Sequence, residues 1–254
     1  GYFLVLWESE QYEKLLLETY RAIEIIPEHS KTWFMRGVSL EQQSRFEEAI
    51  LAYDKALKLD PDLKEAWNNK GSVLMNLGRY EKANQTLEQA IKIDPKLKEA
   101  WNNKGFALDN LGQSEDAIKA FDKALNIDPE FAHAWNNKGV TLSRLGKFKE
   151  AIEAFDQALL FDKEHSMAWN NKGFALDGLG RHEEAIKAYE MAIEFNSENE
   201  MAWNNKGYAL YDLGRFDEAL VACDNALKID PELSTAKEGR EAVLKNLNNT
   251  NADG

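Results

Sequence analysis

KEAWNNKGFALDNLGQSEDAIKAFDKALNIDP, residues 98–129, is the stretch whose reading decides the fold. Its first half carries Trp101, Gly105, Leu108 and Leu111 at the i, i+4, i+7 spacing of one helical face. Leu111-Gly112 ends that helix, because a glycine just past the last apolar residue takes up the left-handed conformation that closes a helix. The second half carries Ala117, Ile118, Phe121, Ala124, Leu125 and Ile127, a second helical stripe. It stops at Asp128-Pro129, since proline disfavours the α conformation of the residue before it. The segment therefore reads as two helices joined by a short glycine turn.

Working outward, the same pattern returns on both sides. Trp33, Trp67, Trp101, Trp135, Trp169 and Trp203 are each 34 residues apart. Gly37, Gly71, Gly105, Gly139, Gly173 and Gly207 follow them by four. The turn glycine recurs as Gly78, Gly112, Gly146, Gly180 and Gly214, with Ser44 in the first unit. Pro27, Pro61, Pro95, Pro129 and Pro231 mark the ends, with Lys163 and Ser197 in the two slots between. Placing each Trp at position 4 gives six units: 30–63, 64–97, 98–131, 132–165, 166–199 and 200–233. A period of this length means a stack of helix pairs in which each unit buries its apolar face against its neighbours. Glycine four after the Trp and alanine at two places in the second helix suit close helix approach. Tyr53, Phe121, Phe155 and Tyr189 fill the wider gaps, while Leu87 and Cys223 take that aromatic slot in units two and six.

The W-x2-K-G-x2-L, A-x3-F/Y and P signature at this period resembles the tetratricopeptide repeat (TPR). The recurrent Ala-Trp-Asn-Asn-Lys-Gly block (66–71, 100–105, 134–139, 168–173, 202–207) resembles archaeal and bacterial arrays of that family. The resemblance covers 30–233 and implies an all-α fold, a right-handed superhelical solenoid of antiparallel helix pairs. One position departs from the family pattern: Lys70, Lys104, Lys138, Lys172 and Lys206, with Arg36 first, stand where leucine is usual. Their stems can pack while the amine reaches water or a carboxylate, which gives the lysines a structural role.

At the N-terminus, residues 1–29 read as a truncated or degenerate repeat, mainly its second helix, with 2–9 as the stub of a first helix. The apolar run 2–7 is expected to be the cut edge of a longer array. A cap over the first repeat and a dimerising surface remain open for it. Residues 234–247 keep Ala236, Val243, Leu244 and Leu247 on one face, as a capping helix requires, and 248–254 is expected to be disordered.

Composition narrows the function. The chain has 254 residues, 44% hydrophobic and 30% charged, with 44 acidic against 31 basic side chains and a net charge of −13. Phosphate binding needs a concentrated basic surface, so nucleic acid is a poor partner. No apolar run is long enough to span a bilayer, so no membrane is expected. The single Cys223 cannot form an intramolecular disulfide and reads as a small buried hydrophobe, which fits a reducing, cytoplasmic compartment. His29, His133, His165 and His182 show no metal-ligand spacing, and there is no phosphate loop or nucleophile elbow. No catalytic residue, metal or cofactor is expected, and the chain does not read as an enzyme.

The resemblance places first-helix positions 2, 5, 6, 9, 12 and 13 on a concave binding face. Position 5 is Asn68, Asn102, Asn136, Asn170 and Asn204, and position 6 is Asn69, Asn103, Asn137, Asn171 and Asn205. Position 9 includes Phe106, Val140, Phe174 and Tyr208, while Asp109 and Asp177 stand at position 12. An asparagine amide both donates and accepts, so this ladder can pair with the backbone of a peptide without reading its side chains. It can equally orient helices or solvate a groove. The basic clamp by which some TPR domains hold acidic chaperone tails is missing, since positions 5 and 6 carry no basic residue. Glu41, Glu65, Glu99, Asp109, Asp177 and Asp212 favour a neutral or basic segment instead. The expected function is a protein–protein interaction scaffold holding an extended or helical polypeptide. The alternative is a structural spacer or self-assembly module with an empty groove, self-associating through the apolar N-terminal edge.

Overall fold

The computed structural model describes residues 11–252; the expected stub helix at 2–9 lies outside them. Fourteen helices and no strand occur among the described residues. Two compact units divide the chain, Gly1–Pro129 and Glu130–Gly254. The first holds α1 (Tyr12–Ile25), α2 (Ser30–Gln42), α3 (Phe46–Leu59), α4 (Lys64–Asn76), α5 (Tyr80–Ile93), α6 (Lys98–Asn110) and α7 (Ser114–Ile127). The second holds α8 (Ala132–Arg144), α9 (Phe148–Phe161), α10 (Ser166–Asp177), α11 (His182–Phe195), α12 (Glu200–Asp212), α13 (Phe216–Ile229) and α14 (Ser234–Ala252). Within each unit, successive helices pair antiparallel, and the fold is all-α.

The turns form for local reasons. Gly112 takes φ +77°, its N–H bonds the Asp109 carbonyl at 3.0 Å, and the Gln113 N–H reaches back to Leu108 at 2.9 Å. Two carbonyls at the end of α6 are thereby satisfied by a residue without a Cβ to clash. Ser44 adopts the same geometry at φ +57°, an unfavourable conformation for an L side chain. Second helices stop on an extended residue, such as Asp60 or Asn196. Asn196 Oδ1 accepts from the Glu198 N–H at 3.1 Å, the same turn that Asp94 Oδ1 makes with Lys96 at 2.9 Å. That side-chain turn ends α11 although no proline follows.

The first-helix glycine has a specific partner 16 residues on. A Cβ added at Gly105 would lie 2.5 Å from Phe121 Cε1, and one at Gly173 2.4 Å from Tyr189 Cε1. The ring lies directly on the glycine's backbone, so the pair interlocks the two helices of a repeat. Phe121, Phe155, Tyr53 and Tyr189 are at most 1% exposed, and burying such a side chain contributes roughly 2–3 kcal/mol. The repeated tryptophans are not core residues. Each is half-buried, and Trp33, Trp67, Trp101, Trp169 and Trp203 donate the indole N–H to a backbone carbonyl, as Trp101 does to Pro95 at 2.9 Å and Trp169 to Lys163 at 2.9 Å. An indole sits at the rim because its N–H needs a partner. The acceptor is main chain, so Lys163 serves as well as proline does.

α14 packs on α13 with Ala236 and Val243 buried. It continues to Ala252, so the segment expected to be irregular from Asn248 is helical that far. No glycine or proline intervenes there, and adding residues to a formed helix costs little.

Candidate functional site

The paired asparagines hydrogen-bond one another from repeat to repeat. In the first unit, Asn103 Nδ2 donates to Asn68 Oδ1 at 3.0 Å, and Asn68 Nδ2 donates to Asn69 Oδ1 at 3.2 Å. In the second, Asn171 donates to Asn136 at 3.1 Å and Asn205 to Asn170 at 3.0 Å. Position 6 of one repeat thus gives its amide to position 5 of the repeat before, stitching consecutive first helices together. Asn102, Asn136 and Asn204 are at most 9% exposed, whereas Asn69, Asn103, Asn137, Asn171 and Asn205 are half-buried. At the start of the ladder Phe34 stands where the acceptor would be, and Asn69 Oδ1 accepts from Asn68 within its own repeat. At its end, Asn204 Oδ1 is buried without a partner, because Gly239 occupies the place of the donor amide.

The acids at position 12 also turn inward. Asp177 accepts from the Tyr189 hydroxyl at 2.9 Å and faces His182 Nδ1 at 3.0 Å. Burial raises its carboxyl above the ordinary value, against the lowering by these two bonds. Asp109, 9% exposed, accepts from Ser114 Oγ at 3.0 Å, and Glu41 accepts from Tyr53 Oη at 2.7 Å. These three carboxylates tie the first helix to the second. Glu65 and Asp212 are exposed.

At position 9 the aromatic side chains face outward, whereas Val38 is buried and Val140 half-buried. Phe106 in the first unit is 41% exposed, and in the second Phe174 is 52% and Tyr208 39% exposed. Met167 and Met201, at position 2 of α10 and α12, are exposed as well. A depression of about 470 Å³ in the second unit is lined by Val140, Phe148, Phe155 and Phe174, with Arg144, Asn171 and the unpartnered Ser143 Oγ beside them. Phe155 brings no hydroxyl here and Ser143 replaces the acid, so the pocket is mainly apolar.

The lysine ladder is engaged. Lys70 pairs with Asp54 at 2.6 Å, Lys104 with Glu88 at 2.8 Å, Lys172 with Asp156 at 2.6 Å and Lys206 with Glu190 at 2.8 Å. Each ammonium also lies over the tryptophan ring three residues before it, at 5.1 Å for Lys172 and 5.8 Å for Lys104. Each link joins a first helix to the preceding second helix. Its sequence signal was an acid 16 residues before each lysine, a ladder that the reading by apolar spacing passed over. Arg240 continues the series with Asp224 at 2.6 Å.

Two family models, each described as Tetratricopeptide repeat, match the chain, one at 99–131, 132–165, 166–199 and 201–233, the other at 10–64 and 34–98. The chain belongs to the tetratricopeptide repeat family. No curated relative matches it. Among solved structures it is similar to a chain of the APC/C hetero-tetramer Cut9–Hcn1, with TM-score 0.82 and 20% identity over 95% of this chain and 48% of that one. It thus spans about half the length of that chain. A tetratricopeptide repeat protein from Parabacteroides merdae matches with TM-score 0.74 and 16% identity, covering 95% of this chain and 96% of that one. YrrB, described as a TPR protein with an unusual peptide-binding site, matches with TM-score 0.55 and 24% identity, covering 72% of this chain and 95% of that one. These likenesses show the fold. Members of the family are typically non-catalytic scaffolds for protein–protein interaction. Among the described residues, no helix is long and apolar enough to cross a membrane, and no group of three or more His, Cys, Asp or Glu could hold a metal.

Proposed function

We propose that the protein is an interaction scaffold that holds an extended or helical polypeptide segment on the first-helix face, with apolar contacts as the main anchors. The observation that carries this reading is the exposure of Phe174, Tyr208, Met167 and Met201 on α10 and α12. Large aromatic and thioether side chains left half in water beside an apolar depression are what a binding surface presents. The asparagines contribute a second layer. An amide that gives one N–H to the neighbouring rung keeps another N–H for a peptide carbonyl. Asp109 and Asp177 act by holding the helices that carry the face. A net charge of −13 with Glu65 and Asp212 exposed favours a neutral or basic segment. YrrB, whose description names a peptide-binding site, shares the fold and lends this reading support.

Selection from a displayed peptide library tests it. Peptides retained by the wild type should lose at least about tenfold in affinity on Phe174→Ser combined with Met167→Ser, a loss of about 1.4 kcal/mol or more, with the circular dichroism unchanged. Equal affinity in that variant would move the site off this face. A library that yields no binder would leave a spacer or self-assembling array as the better description.

A further inference from the structure

A cavity of about 120 Å³ between α12, α13 and α14 combines an apolar floor with a carboxylate at its rim. Its buried walls are Gly207, Cys223, Gly239 and Val243. Tyr208, Tyr211, Asp212 and Ala242 complete the lining, with Tyr208 and Asp212 exposed and the other two half-buried. The space is there because Cys223 stands in the slot that a ring or Leu87 fills in the other repeats. The walls are fixed without a ligand. Tyr208 Oη donates to the Thr235 carbonyl at 2.9 Å, and Asn246 Nδ2 donates to Tyr211 Oη at 2.9 Å, both joining α12 to α14.

The depression lined by Phe155 lies at the same place two repeats earlier, with Arg144 at the repeat position of Asp212. The fold accepts either sign of charge there, so the acid at Asp212 is not a requirement of packing. Asp212 also differs from the other acids of the face. Glu41, Asp109 and Asp177 each accept a hydrogen bond from the second helix of their repeat. Asp212 makes no hydrogen bond or ion pair among the described residues. Burial raises the Asp177 carboxyl, and the charge of Asp212 adds to that rise. Asp212 is moreover the last residue of α12, where the helix end is itself negative and favours a cation. A matching ligand has a small apolar tail for the floor and a positive charge for the rim. An apolar cavity of about 150 Å³ in another protein takes up benzene, so this smaller one suits an alkyl group of about four carbons. A charge held at an exposed carboxylate keeps part of its water, which limits the cost of desolvation.

We propose that this cavity binds a primary ammonium on a short branched alkyl group, with the alkyl group against Cys223 and Val243 and the ammonium at the Asp212 carboxylate. A free amine presents this chemistry, and so does the first residue of a partner chain, whose α-ammonium stands beside its side chain. Tyr208 also belongs to the face proposed above, but a free amine needs no peptide there, so the two readings fail separately.

Titration of the whole chain with isobutylammonium chloride at about pH 6, where amines are charged, should give saturable shifts of the Ala242 and Val243 methyl signals in NMR spectra. 2-Methylpropan-1-ol, the same shape without the charge, should bind at least about threefold more weakly. Asp212→Asn, at an exposed position, should bring that ratio to about one. Ethylammonium, two carbons shorter, should bind about tenfold more weakly than isobutylammonium. Cys223→Leu, with the residue that Leu87 supplies in the second repeat, should fill the floor and abolish binding. If that variant fails to fold, Ala242→Leu should close the cavity from its half-buried wall, read on the Val243 methyls. Valinamide carries the same isobutylammonium unit with a chain leading on from it. Tighter binding of valinamide would identify a partner's first residue as the occupant, and tighter binding of isobutylammonium would identify a free amine. Absence of saturable shifts, equal affinity for amine and alcohol, a ratio unchanged in Asp212→Asn, or full affinity in a folded cavity-filling variant would each overturn the proposal.

Discussion

Replacing Gly105 with alanine sets helix propensity against packing, and the geometry says which wins. In an exposed helix interior the change would stabilise by about 0.5–1 kcal/mol, because alanine has less backbone freedom to lose. Here the new Cβ would lie 2.5 Å from Phe121 Cε1, 2.7 Å from Cδ1 and 2.9 Å from Cζ. A rigid ring that is 1% exposed has nowhere to move, and overpacking of this kind costs about 1–3 kcal/mol. The net expectation is a loss of about 1–2 kcal/mol. Gly207→Ala is the internal control. Its Cβ would have Cys223 Sγ at 3.0 Å, the Ala219 carbonyl at 3.5 Å and Ala222 Cβ at 3.6 Å as its nearest neighbours, and the cavity beside that sulfur lets it turn. That variant should range from neutral to about 1 kcal/mol more stable. Urea unfolding with amide exchange in α6 and α7 measures both, since a repeat array need not unfold in one step. In a Phe121→Cys background the cost of Gly105→Ala should fall to near zero, as a double-mutant cycle would register. Equal effects at Gly105 and Gly207, or a cost that persists in the Phe121→Cys background, would refute the interlock between glycine and ring.

Three further outcomes follow from the same contacts. Ser44→Gly should stabilise by about 1 kcal/mol in thermal or urea unfolding, because it removes an L side chain from φ +57°. Trp101→Phe should cost about 1–2 kcal/mol through the lost bond to the Pro95 carbonyl and reduced burial, whereas Pro95→Ser should cost about 1 kcal/mol at most; the reverse order would show that the proline ring itself is the anchor. Burial raises the Glu41 carboxyl above its ordinary value of 4.5, outweighing the Tyr53 hydrogen bond. A raised folded-state value means that this group's stabilising contribution is complete below the unfolded value and is lost as pH climbs through the folded one. Glu41→Gln should therefore gain stability relative to wild type as pH rises from the ordinary value of 4.5 through the raised folded one, and a difference in urea midpoint that does not change with pH above that ordinary value would contradict it.

Much of the fold was legible in residues 98–129 alone. Helix starts, glycine turns and proline stops are decided within a few residues of chain, and 34-residue recurrence carries one repeat's reading to the rest. The tryptophans show where that reading stopped short. Spacing placed them on the apolar stripe, but only the structure put them at the rim with a lysine over one face. Spacing also identified Asn68 and Asn103 as members of one ladder without revealing that they bond to each other. The acids at position 12 were similarly visible as charges and silent as partners, because Tyr53 and Tyr189 reach them from the second helix.

By itself, then, the sequence determined an all-α array of paired helices, since periodicity, turn chemistry and the contact of each repeat with its neighbours are encoded locally. Tertiary structure decided which of the face's polar groups are already committed. Asn103 meets Asn68, 35 residues before it, only after two helices from successive repeats have been brought side by side. The same packing left Phe174 in water and Asn204 Oδ1 without a donor. A side chain's remaining capacity to bind is what its folded neighbours leave unsatisfied, and those neighbours are set by packing between helices, beyond the range of any local pattern.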